Sequence, residues 1–168
     1  MFRTLAYSLC FLAFAAIPAA AETLSTPKGQ VLLTVSGNIT TTNDADTAVL
    51  DLEMLQTLET RKIETTTIWT EGTQVFEGVR LKTLVDALGL EGNTLRATAI
   101  NDYAVDIPFA DATQDGPIVA YLLNGKEMSV RDKGPLWIVY PYDENADFRT
   151  EVIYSRSIWQ MTRIEAID

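Results

Sequence analysis

Aromatic rings, carboxylates and cations are the side chains with which this sequence could do chemistry. The 168-residue chain contains no histidine and a single cysteine, Cys10. This composition excludes Ser-His and Cys-His nucleophilic catalysis, imidazole-bound zinc and a histidine general base. Any catalysis would therefore depend on carboxylates, lysine, tyrosine or a bound cofactor.

The densest group of potential binding side chains is aromatic. Such rings commonly fill cross-strand positions of a β-rich core, and they also line pockets that hold flat or apolar ligands. Both interpretations stay open for the eight tryptophan and tyrosine rings after residue 60, which are Trp69, Tyr103, Tyr121, Trp137, Tyr140, Tyr142, Tyr154 and Trp159.

Four aspartates, Asp102, Asp106, Asp111 and Asp115, are the candidates for a pair of acid-base carboxylates. Asp102 follows Asn101 between two strand-like segments, where aspartate is common for backbone reasons. We therefore interpret Asp102 as a turn residue rather than as a catalytic acid.

The first 21 residues have the features of a signal peptide. A short basic start, Met1–Arg3, precedes the apolar run Thr4–Ile17 and the small residues of Pro18–Ala21, so we expect cleavage after Ala21. Cys10 would leave with this leader. The pattern predicts export, in a bacterium to the periplasm, with a flexible arm at 22–30 and one domain at 31–168.

The charge balance limits the partners of this domain. The chain has 23 acidic against 13 basic residues and a formal net charge of −10. Such a surface repels phosphate backbones and anionic lipid head groups. We therefore expect no nucleic-acid partner and no membrane insertion after signal cleavage.

Two helices and a majority of strands are predicted to position these side chains. Leucines on one face predict a helix over Asp51–Leu58, and the spacing of Leu81, Leu84, Val85 and Leu88 before Gly89 predicts a second. A very short third helix is expected after Pro108. Strand-like patterns start at Val31 and cover 63–69, 94–100, 103–108, 117–123, 126–130, 136–140 and 158–164. The fold class predicted is therefore α+β, with β-rich mixed sheets and two or three short helices.

Five segments in register resemble one family, the oxidoreductase molybdopterin-binding domain of the sulfite oxidase family. They are FEGVRLKTLVDALG at 76–89, DYAVDIP at 102–108, VAYLLNGKEM at 119–128, GPLWIVYP at 134–141 and WQMTRIE at 159–165. The resemblance spans roughly residues 31 to 167. It implies an α+β fold with a crevice that, in active members, holds a pterin carrying molybdenum.

Three positions depart from the pattern that the resemblance implies. Active members ligate the metal through a cysteine before the "G-V-x-L" helix, but the corresponding segment, Thr65–Gly72, has none. Many members carry an arginine after "G-P-L", where Trp137 stands here, and sulfite oxidases usually have a lysine where Ile158 stands. No molybdenum ligand is therefore predicted, no cofactor is expected, and molybdopterin remains possible by resemblance only.

The resemblance also supplies the candidate binding residues. The aromatic members would line the vacated crevice and stack on a planar ligand, and the arginines could bind an anionic group. The candidates are Trp69, Tyr103, Arg131, Trp137, Tyr140, Arg149 and Arg156. No catalytic residue and no metal ligand is assigned.

These observations favour an exported, non-catalytic domain that binds a small planar or anionic ligand or a periplasmic protein partner. The alternative is a molybdopterin-dependent oxidoreductase that holds its cofactor without a cysteine ligand and uses Arg131, Arg149 or Arg156 for the phosphate.

Overall fold

Ten strands pair into one mixed sheet, described for residues 24–168 in a computed structural model. The predicted leader at 1–21 lies outside these described residues. The strands are β1 Val31–Gly37, β2 Ala48–Asp51, β3 Thr60–Thr65, β4 Gln74–Arg80, β5 Thr94–Ala99, β6 Ala104–Pro108, β7 Ile118–Leu123, β8 Lys126–Glu127, β9 Leu136–Val139 and β10 Trp159–Ile167. The helices are α1 Leu52–Thr57, α2 Leu81–Leu88 and α3 Glu151–Arg156, with 3-10 turns at Phe109–Asp111, Val130–Asp132 and Ala146–Phe148.

The sheet runs in the order β2-β1-β10-β9-β7-β4-β3, and β5, β6 and β8 pair beside this path. β1 and β10 are parallel, whereas the other described pairs are antiparallel. This arrangement, with three short helices, confirms the predicted α+β class.

Both predicted helices form, for the reasons that the sequence supplies. Asp51 caps α1 by accepting a hydrogen bond from the Met54 backbone N–H at 2.9 Å. Helix α2 buries its four predicted apolar residues and ends at Gly89, whose φ of 59° is left-handed. A Cβ at Gly89 would collide with the Thr40 side chain, so glycine is required there for space as well as for conformation.

Two predicted strands need correction, and three elements were not predicted. The predicted strand at 63–69 is β3, which ends at Thr65, so Trp69 lies in the following loop. The strand predicted at 126–130 stops after Glu127, because residues 130–132 form a 3-10 turn. The strands β2 and β4 and helix α3 were not predicted, since each is short or lacks a clear period. The very short helix expected after Pro108 forms as a 3-10 helix at Phe109–Asp111.

Part of the arm at 24–30 is attached to the domain through the Asp51 carboxylate. The backbone N–H groups of Lys28 and Gly29 donate to Asp51 Oδ2 at 2.7 and 2.8 Å. These bonds, with the Met54 bond, hold the pKa of the Asp51 carboxyl below its usual range. Asp51 therefore joins the arm, β2 and α1 at one carboxylate.

Candidate functional site

A cavity of about 460 Å³ opens between the loop after β3, the β5–β6 turn, α3 and the first residues of β10. Its walls carry four aromatic rings, and the remaining side chains are neutral. The lining residues are Trp69, Ala99, Asn101, Tyr103, Tyr154, Ser155, Ser157, Ile158, Trp159 and Gln160. We call this cavity the aromatic pocket.

Trp69 is held in the pocket by its loop rather than by a strand. Both oxygens of Asp143 accept hydrogen bonds from Thr66, from the N–H at 2.6 Å and from the hydroxyl at 2.9 Å. The Asp143 N–H in turn donates to Thr65 Oγ1 at 3.1 Å. The Thr66 N–H bond is the largest of several causes that lower the pKa of the Asp143 carboxyl. Asp143 therefore fixes the point where the Trp69 loop leaves β3.

The floor of the pocket is a cluster of rings in edge-to-face contact. The centroid of the Trp69 ring lies 5.8 Å from that of Trp137, 5.7 Å from that of Tyr154 and 5.5 Å from that of Trp159. Trp137 also contacts Phe76, at 5.2 Å. These distances are typical of favourable aromatic pairs, so Trp69 forms a bridge between the buried core and the pocket wall.

Ser157 ties the wall to the core through hydrogen bonds. Its carbonyl accepts from Trp137 Nε1 at 3.2 Å, and its hydroxyl accepts from the Tyr142 hydroxyl at 2.7 Å. The Ser157 hydroxyl donates to the Ile153 carbonyl of α3 at 2.9 Å. Burial raises the pKa of Tyr142 to about 12, so its phenol remains a neutral donor.

An irregular residue at the start of β10 shapes the far edge of the pocket. Gln160 has a φ of 53°, and the pairing register of β10 shifts around it. Its N–H donates to the Lys133 carbonyl at 3.0 Å, and its side-chain amide donates to the Val130 carbonyl at 2.7 Å. The loop at 129–134 is thereby attached to the edge of the pocket.

The predicted candidates separate into three groups. Trp69 and Tyr103 line the aromatic pocket. Trp137 and Tyr140 are completely buried and do not line it. The arginines also lie outside the lining.

The buried Tyr140 and the arginine Arg156 share one acceptor away from the pocket. The Tyr140 hydroxyl donates to Asp111 Oδ2 at 2.7 Å, and Arg156 donates to the same oxygen at 2.9 Å. Burial is the main cause that raises the pKa of Tyr140, and the Asp111 carboxylate adds to it. Asp111 therefore has a structural role, in which it joins the 3-10 turn after β6 to α3 and to the end of β9.

Several lining residues were missed by sequence reasoning. Tyr154 and Trp159 were recognised only as members of the aromatic group, while Asn101, Ser155 and Gln160 carried no signal. Trp159 was the detectable one, because it opens the closing tryptophan segment of the resemblance. Asn101 reaches the pocket because the β5–β6 turn folds toward β10, a tertiary feature.

The lining does not fit a molybdenum–pterin cofactor of the kind that the resemblance implies. It contains no thiol, no histidine, no lysine and no arginine. Within residues 24–168, no three histidine, cysteine, aspartate or glutamate side chains come together in a metal-binding group. The metal would lack its thiolate, and the phosphate would lack the charge-assisted hydrogen bonds that hold such anions.

None of the helices formed by residues 24–168 has the length and apolar character that crossing a bilayer requires.

Comparison with known proteins agrees with this fold. Among solved structures, the chain is similar to the sulfane dehydrogenase SoxCD from Paracoccus pantotrophus, with a TM-score of 0.57 and 15% sequence identity. The match covers 87% of this chain but only 40% of that one, so this chain spans less than half of that protein's length. None of the curated proteins matches the sequence. Residues 38–144 match the family described as the oxidoreductase molybdopterin binding domain. Because this match covers more than half of the sequence, the chain belongs to the oxidoreductase molybdopterin-binding domain family.

Proposed function

We propose that this protein is an exported, non-catalytic member of its family that binds a small planar organic ligand in the aromatic pocket. The proposal depends on one observation: four aromatic rings line the pocket, and none of the lining side chains is charged. The leader-like residues 1–21 support export, which would place the protein in the bacterial periplasm.

The chemistry of the lining favours a flat heterocycle. Aromatic side chains stack on planar rings, each stack contributing about 1–3 kcal/mol by alanine substitution in nucleobase complexes. Within the described residues, Asn101 Nδ2 and Gln160 Oε1 make no hydrogen bond to the protein. A donor and an acceptor are therefore free at the pocket to recognise the polar edge of a ring. Family membership makes the pterin ring system, without metal or phosphate, the first ligand to test.

The side chains around the pocket also support the absence of catalysis. The nearest carboxylate in the sequence, Asp102, is highly exposed and accepts a hydrogen bond from Arg163 at 2.5 Å. Charge-assisted hydrogen bonds contribute about 1.5–3 kcal/mol each, and the lining offers none to a phosphate. The part of a ligand that lies inside the pocket must therefore gain its affinity from stacking and neutral hydrogen bonds.

Intrinsic fluorescence provides a direct assay of ligand binding. The chain has three tryptophans, and all of them lie in the ring cluster at the pocket. We expect pterin to change this fluorescence in a saturable manner. Tyr103→Ala should weaken binding by about 1–3 kcal/mol, because Tyr103 lines the pocket yet is 58% exposed and should not affect folding.

Val31→Ala is the matched control, because Val31 is an exposed apolar residue on β1 that does not line the pocket. Equal affinity for the wild type and both variants would contradict the proposed site. The alternative, a molybdopterin oxidoreductase, predicts about one molybdenum per chain after expression with molybdate and an intact leader. That result would refute the non-catalytic proposal.

A protein partner is the second candidate occupant. The exposed side chains of Ile68, Ile100 and Tyr103 belong to the segments that form the pocket, so an apolar side chain from a periplasmic partner could insert there. Products of neighbouring genes are the partners to test. Co-elution of one with the wild type, and its loss in Tyr103→Glu but not in Val31→Glu, would support this candidate.

A further inference from the structure

The loop at 129–134 brings two cations to the edge of the aromatic pocket. Gln160, which lines the pocket, holds this loop through the carbonyls of Val130 and Lys133. The two cations of the loop are Arg131, which is exposed, and Lys133, which is half-buried.

Unlike most lysines and arginines of the described chain, these two cations have no carboxylate partner. Eight of the twelve lysines and arginines in residues 24–168 form ion pairs with carboxylates. Arg131 and Lys133 form none within that part of the chain. The aspartate between them, Asp132, accepts a hydrogen bond from Ser129 Oγ at 2.7 Å instead. The loop therefore presents positive charge that the protein itself does not neutralise.

Lys133 is also placed against the aromatic cluster. Its Nζ lies 5.8 Å from the centroid of the Trp137 ring, within cation–π range. Trp137 in turn contacts Trp69 and Trp159, both of which line the pocket. The ammonium group thus lies next to a buried ring that itself contacts two rings of the pocket wall.

We propose that the ligand carries an anionic substituent, a carboxylate, which Lys133 and Arg131 bind outside the pocket while the planar ring lies inside it. This inference rests on the proposed function, and it specifies the class of ligand as a carboxylate-bearing planar heterocycle. A carboxylate is preferred to a phosphate because a protein with a net charge of −10 repels a dianion more strongly.

Two double variants with the same change of net charge test the proposal. Arg131→Gln with Lys133→Gln removes both loop cations. Lys28→Gln with Lys126→Gln is the control, because Lys126 forms no ion pair within residues 24–168, the Lys28 side chain is 77% exposed beside Glu53, and neither lysine lines the pocket. Tryptophan fluorescence titrations would compare pterin with pterin-6-carboxylate at low and high ionic strength.

We expect the loop variant to weaken binding of pterin-6-carboxylate roughly 2- to 30-fold, the combined effect of losing two ion pairs near the surface. The affinity of the loop variant for pterin should stay within about twofold of the wild-type value. The control variant should bind both probes as tightly as the wild type does. High ionic strength should weaken the binding of pterin-6-carboxylate but not that of pterin. If pterin binds but the loop variant binds the carboxylate as well as the wild type does, this inference is wrong and the proposed function stands. If neither probe binds the wild type, both are wrong.

Discussion

Replacing Trp137 by arginine would introduce the residue type that the family resemblance implies at this position, and we expect it to unfold the domain. Trp137 is completely buried. Its ring contacts Trp69 at 5.8 Å, Phe76 at 5.2 Å and Trp159 at 6.1 Å, and its Nε1 donates to the Ser157 carbonyl at 3.2 Å. An arginine there would lie inside the core and not at a ligand.

The size of the effect follows from these contacts. Removing a buried tryptophan ring costs about 3–5 kcal/mol. Placing a guanidinium in the same space adds several kcal/mol, since the partners shown for Trp137 are aromatic rings, one carbonyl and the cation of Lys133. The sum is comparable to the whole free energy of unfolding of a typical domain, about 5–15 kcal/mol. Trp137→Phe keeps an apolar ring and should cost only about 1–3 kcal/mol.

Urea denaturation followed by far-UV circular dichroism measures both variants without relying on the tryptophan signal that the substitutions change. We expect Trp137→Arg to show no folded baseline, and Trp137→Phe to keep a cooperative transition at a lower midpoint. A folded Trp137→Arg with a stability within about 2 kcal/mol of the wild type would refute the reasoning. It would mean that residue 137 can reach the solvent or the pocket.

Two further predictions concern the polar groups that position the pocket. Asp143→Ala should lower the free energy of unfolding by about 1–2 kcal/mol, because two hydrogen bonds to Thr66 are lost at an exposed site. It should also weaken ligand binding, because the Trp69 loop loses its anchor. If the variant binds the ligand as tightly as the wild type does, the loop does not need this anchor. The pKa of Asp143 is lowered in the folded state, so its carboxylate stabilises the fold above the usual value of 3.8, and this stabilisation is lost as the pH falls through the folded pKa. Asp143→Ala should therefore lose less stability than the wild type when the pH is lowered through that range. In urea denaturation, Ser157→Ala should lower the free energy of unfolding by about 1–3 kcal/mol and Tyr142→Phe by about 0.5–1.5 kcal/mol, because Ser157→Ala leaves the buried Tyr142 hydroxyl without its acceptor. A larger effect of Tyr142→Phe would contradict this hydrogen-bond network.

The parts of the fold that could be predicted are those with a strong local pattern. The four apolar positions of α2 before Gly89, and the Asn124-Gly125 turn with φ angles of 50° and 75°, are determined by neighbouring residues. The four residues of β2 show no polar alternation, and the six residues of α3 lack the leucine spacing that predicted the equally short α1. Their formation depends on tertiary contacts, such as the bond from Ser157 to Ile153.

The site was predictable only in part, because one face of a ring cluster looks like another in sequence. Trp69 and Tyr103 line the pocket, whereas Trp137 and Tyr140 face the core. The pattern around Trp137, four consecutive buried residues in β9, has no alternation that could reveal which side faces a ligand. The direction of Arg156 was equally hidden, since its partner Asp111 lies 45 positions away.

The position of β10 has a consequence for the order of folding. This strand pairs with β1, β5 and β9, and it joins Thr34 to Arg163 in a parallel register across nearly the whole described chain. Contacts so distant in sequence form slowly, because a large loop must close before any of them can be made. Until residues 159–167 have been synthesised, β1 can pair only with β2 and β5 only with β6. Each of the two strands therefore exposes one edge that can aggregate. The nascent chain must therefore remain incompletely assembled until its last strand arrives, and that is the state in which a chaperone would meet it.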